Sequence, residues 1–145
     1  MALSERYIEA LDAADLFESY GHKTRFKELM DCYSQYPFFS TGLCKCMYLS
    51  AWDDEHFMVM VEMLNSMAIG QEEDTEDMRI EGEMRAEDYQ ADQADGEAFV
   101  YHLSSSFLNG TKFGLQGLEK LPENYQYLVK KAVEAEAVIE GISHK

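Results

Sequence analysis

Proline is scarce in this chain, and proline is the residue that most strictly limits helix length. Two prolines in 145 residues leave room for long helices. Alternating runs of β-branched residues are nearly absent, so strands have little to nucleate on. No run approaches the roughly 18 to 20 uncharged apolar residues of a membrane span. Cysteine is limited to Cys32, Cys44 and Cys46, and an odd count argues against a disulfide framework. The first ten residues carry Glu5, Arg6 and Glu9 and lack the apolar core of a secretory signal. A reduced cytoplasm is the expected location. Basic residues are also few, 12 against 28 acids, for a formal charge of −16. Such a field repels nucleic-acid phosphates and anionic lipid heads. Direct nucleic-acid or membrane binding is not expected; a basic partner fits the field.

What is present is apolar and helix-forming. Apolar residues make up 46% of the chain, enough for one real core. Leu3, Tyr7, Leu11 and Ala14 predict a helix over 4–20, capped by Ser4 and stopped at Gly21. Phe26, Leu29, Met30 and Tyr33 predict a second over 24–35, capped by Thr24 and ended by Pro37. A third is expected over 41–51. Asp53, Asp54 and Glu55 then form a strong start signal for a helix over 54–69, because negative charge is favoured at exposed helix N–H groups. This helix is apolar nearly all round, with Glu62 the only charge between Phe57 and Ile69. Such a helix is either central or half covered by a partner.

Composition changes abruptly after Gly70. Residues 71–97 hold twelve acids against Arg79 and Arg85, a local balance of −10. The part before residue 85 lacks an apolar period and reads as a solvated connector. From about Arg85 a helix resumes, with Ala91, Ala94, Ala98 and Tyr101 aligned, and Asn109 and Gly110 close it. Phe113, Leu115, Leu118 and Leu121 anchor a glycine-containing loop. Pro122 opens a last helix, ended by Gly141. The expected fold is all-α: one domain, 1–145, of about six helices in a bundle or orthogonal array, with an acidic connector near residues 71–85.

Few constellations carry chemistry. Cys44 and Cys46, with Cys32, His22 or His56, offer zinc-type ligands, but the two cysteines are too close for the usual knuckle and point to different helix faces. They read as small buried side chains. Asp53 and His56 stand three apart, the spacing of di-metal bundles, without the second pair those sites need. No EF-hand forms either. Counting back from Gly96, Ala91 and Gln93 occupy positions that need aspartates, and His102 one that needs glutamate. Ser104, Ser105 and Ser106 lack a nucleophile elbow.

Two features remain. Glu72, Glu73, Asp74, Glu76, Asp77, Glu81, Glu83, Glu87 and Asp88 form an acidic stretch suited to a basic surface. Met58, Met60, Met63 and Met67 put adaptable thioethers on one helix. The expected function is a non-enzymatic protein-binding domain with a basic partner. Its sharper form is an acidic inhibitor, or a nucleic-acid mimic, of a nucleic-acid-handling protein. Two alternatives stand beside it. One is a small metal-dependent nucleotide hydrolase with Glu73, Glu76, Asp92 and Asp95 holding Mg²⁺. The other is a helical homodimer or adaptor joined through the methionine face. No cofactor is expected.

Overall fold

Three helix starts in this protein are set by side chains that accept from the first free N–H groups. The computed structural model describes residues 3–37, 39–69, 80, 84, 97–110 and 118–143. Among them lie six α-helices and no strand: α1 (Leu3–Ala13), α2 (Tyr20–Tyr33), α3 (Thr41–Ser50), α4 (Asp54–Ala68), α5 (Glu97–Asn109) and α6 (Glu123–Ser143). A short 3₁₀ turn, Leu118–Lys120, buries Leu118 just before α6. The all-helical expectation is met.

Ser19, Ser40 and Asp53 each adopt an extended backbone and cap α2, α3 and α4 through their side-chain oxygens. The expected helix over 4–20 is therefore corrected: only its first part is α1, and Tyr20 already belongs to α2. α1 stops at Ala13, where the Leu16 N–H donates to the Leu11 carbonyl and the Asp15 N–H to that of Asp12. Asp15 takes the left-handed conformation usually left to glycine, φ 57°. Gly21 does not stop a helix but lies inside α2, which Ser19 caps instead of Thr24. Gly141 likewise lies inside α6.

His22 explains why α2 begins early. It is fully buried, its Nδ1 accepts from the Glu18 N–H at 3.1 Å, and its Nε2–H donates to the Tyr48 carbonyl at 2.8 Å. The Tyr48 hydroxyl donates in turn to the Leu16 carbonyl. Phe17 packs edge-on to His22 with ring centres 5.4 Å apart. This knot ties the α1–α2 connection to α3.

α3 is the central element. Its residues from Leu43 to Leu49 are all buried, and it packs against α2, α4, α5 and α6. Gly42, Cys44 and Cys46 keep it slim enough for several neighbours. Lys45 is 5% exposed and reaches Glu140 and Glu136 of α6 at 2.5 and 3.3 Å. α6 also closes on α1, and the Lys131 ammonium donates to the Asp15 carbonyl at 2.6 Å.

Arg25 sets the joint between α3 and α4. Its Nε donates to the Ala51 carbonyl at 2.6 Å and its Nη2 to that of Trp52 at 2.9 Å, satisfying carbonyls at the α3 C-terminus. Its Nη1 lies 3.3 Å from Asp54. α4 follows at once, and it runs along the edge of the assembly. Only the stripe His56, Met60, Leu64 and Met67 is buried, while Met58 is 53% and Ile69 71% exposed.

Candidate interaction groove

Asp53 Oδ1 accepts twice from His56, from the backbone N–H and from Nδ1–H, both at 2.8 Å. Burial pushes the Asp53 carboxyl up, but these two hydrogen bonds and the charges of His56 and Arg25 hold it below the usual range, so it stays a carboxylate. The His56 ring is thereby fixed at the first turn of α4. Trp52 stacks near it with ring centres 4.8 Å apart, and the Tyr101 ring of α5 stands 5.8 Å away. The buried indole N–H of Trp52 finds no acceptor among the described residues. These rings join the start of α4 to α5.

Beyond them lies a partly open pocket. Its floor is Cys46, Leu49 and Ser50 of α3. One wall is His56, Val59, Met60 and Met63 of α4, and the other is Val100, Tyr101, Ser104, Ser105 and Leu108 of α5. Its volume is about 50 Å³. A cavity that takes benzene has about 150 Å³, and metabolite pockets run to about 300–1,000 Å³. The space suits one side chain better than a metabolite.

The lining is mostly apolar, and its polar groups are engaged. The Ser104 hydroxyl donates to the Val100 carbonyl at 3.1 Å, and the Cys46 thiol contacts the Ser104 carbonyl at 3.3 Å. Burial pushes the Cys46 thiol well above its usual range, away from the reactive thiolate. Burial does the same to Cys44, whose sulfur sits 3.9 Å from that of Met30. The two cysteines thus face different neighbours, as their spacing implies. Among the described residues no group of three or more His, Cys, Asp or Glu side chains could hold a metal ion. No described helix is long and apolar enough to cross a membrane.

The methionines of α4 do not act as one stripe. Met60 and Met67 are buried in the core, at 7% and 5% exposure. Met63 is half-buried and lines the pocket, and Met58 lies on the outer face. The acidic residues Glu72, Glu73, Asp74, Glu76, Asp77, Glu81, Glu83, Glu87 and Asp88, and the carboxylates Asp92 and Asp95, lie outside the described residues. Sequence reasoning missed the α5 wall, although Val100, Tyr101, Ser104 and Leu108 recur at helical spacing. It also placed the Cys46 side chain in the core without a groove above it. No protein family, curated protein or solved structure matches the chain.

Proposed function

We propose that this chain is a protein-binding domain for a basic partner, with the α4–α5 groove as its docking face. One observation carries the reading: among the described helices α4 lies at the edge, with Phe57, Val59, Val61 and Met63 only partly buried and Met58 exposed. Such a surface is normally covered. The open pocket beside Val59 and Met63 supplies depth for an anchor, and the formal charge of −16 selects a basic partner. The acidic composition of residues 71–97 supports a narrower form, in which the partner handles nucleic acid and the chain competes with it.

A photo-crosslinking residue at position 63, in the native host, tests the docking face. The expected result is one dominant adduct of a basic protein, absent when the same residue stands at the exposed Tyr20 position. Equal labelling from both positions, or none from position 63, refutes the reading. Displacement of the adduct partner by nucleic acid then separates the narrower form from general protein binding.

A further inference from the structure

We propose that the groove receives an amphipathic helix bearing lysine or arginine beside its apolar face, with the tip of one aliphatic side chain seated in the pocket. This rests on the docking-face reading above and specifies the partner's chemistry. Two helices wall the groove and α3 forms its floor, the arrangement into which an amphipathic helix lays its anchors at i, i+3, i+4 and i+7. A partly open pocket of about 50 Å³ has room for the end of one such anchor and no more.

Charge fixes the partner's sign. Glu55 and Glu62 are exposed, and their helical spacing puts them on the outer flank of Val59 and Met63. α4 and α5 contain no lysine or arginine at all. The one cation of α3, Lys45, is held by Glu136 and Glu140. Arg25 at the α3–α4 joint is engaged by two carbonyls and Asp54. Among the described residues the rim therefore presents Glu55 and Glu62 without compensating cations. A second copy of this chain brings the same rim and another −16 of charge, so like charges meet across the contact. A cationic helix meets complementary charge and apolar surface together.

The test is fluorescence anisotropy of the full chain with three labelled 18-residue peptides. One has leucines on one helical face and lysines elsewhere. The second has the same leucines with glutamates. The third has the leucine–lysine composition in shuffled order, without an apolar face. The amphipathic lysine peptide is expected to bind at least tenfold more tightly than either control. Met63→Glu, checked for helicity by circular dichroism, is expected to weaken it at least tenfold. The double variant Glu55→Gln/Glu62→Gln leaves the core untouched. It is expected to weaken binding several-fold at low salt and not at high salt, through loss of screened attraction. Equal binding of the shuffled peptide, or no effect of the double variant at low salt, overturns the proposal. Met63-dependent binding of the glutamate peptide overturns the basic-helix assignment but leaves the groove a docking face. Binding of no peptide through Met63, with no crosslink from position 63, removes both.

Discussion

Gly42 of α3 lies so close to Phe107 of α5 that a methyl group on Gly42 would stand 2.5 Å from the Phe107 carbonyl oxygen and 3.3 Å from the Leu108 Cα. These are backbone atoms, which cannot rotate aside as a flexible side chain can. Gly42→Ala therefore forces the two helices apart. Overpacking of this kind costs about 1–3 kcal/mol, to be read as a lower denaturation midpoint. Since α3 and α5 are also the floor and one wall of the groove, the same substitution widens the pocket. Peptide binding is then expected to fall along with stability.

Burial lowers the pKa of His22 to about 4 from an ordinary 6.5, against the opposing hydrogen bond to the Tyr48 carbonyl. The neutral ring is the one that fits, because Nδ1 must accept from the Glu18 N–H. Above pH 6.5 neither the folded nor the unfolded chain protonates this ring, and its contribution is fully present. As pH falls from 6.5 towards 4 the unfolded chain takes up the proton first, and stability drains away. The total loss at the lower limit is roughly 3 kcal/mol. The ring resonances of His22 are expected to stay in the neutral form until pH falls to about 4. Titration near 6.5 contradicts the buried, neutral assignment. This readout is independent of the relief of negative charge repulsion over the same range.

Lys45 supplies a third expectation. Burial lowers its pKa, but hydrogen bonds and charge from Glu140 and Glu136 outweigh that and raise it overall. A raised lysine pKa means that its ion-pair contribution is fully present below the ordinary 10.5 and is lost as pH rises through the folded value. Lys45→Met leaves Glu136 and Glu140 facing each other one helical turn apart without a counter-charge. Both carboxylates are partly solvated, at 32% and 49% exposure, so the cost is discounted to about 1–2 kcal/mol from the value for a wholly buried pair. Adding Glu136→Gln and Glu140→Gln to Lys45→Met is expected to recover part of it, measured by chemical denaturation.

Local signals were readable in the sequence, and long-range ones were not. Asp53 announced the start of α4 because a cap and its acidic first turn lie within three residues of each other. The stop after Asn109 was equally local, with Gly110 at φ 71° as a left-handed terminator. The start of α2 was misplaced because Ser19 and Thr24 are both good caps. The deciding group, His22, acts through Tyr48, 26 residues away. The order of burial was also hidden. Lys45 breaks the apolar pattern of α3 and suggests solvent, yet its ammonium is neutralised by two carboxylates more than 90 residues on. α3 is thus central despite its charge, and the more apolar α4 is peripheral. The groove lay beyond periodicity because its two walls come from helices separated by residues 69–96.

The closure of α6 on α1 and α3 has a consequence for synthesis on the ribosome. Residues 1–120 emerge with α1 and α3 still open along the faces that α6 will cover. Lys45 has no carboxylate partner at that moment, and the carbonyl of Asp15 has no ammonium. Consolidation of the core must wait until α6 clears the exit tunnel. Until then, premature self-association is opposed chiefly by the electrostatic repulsion of an acidic nascent chain.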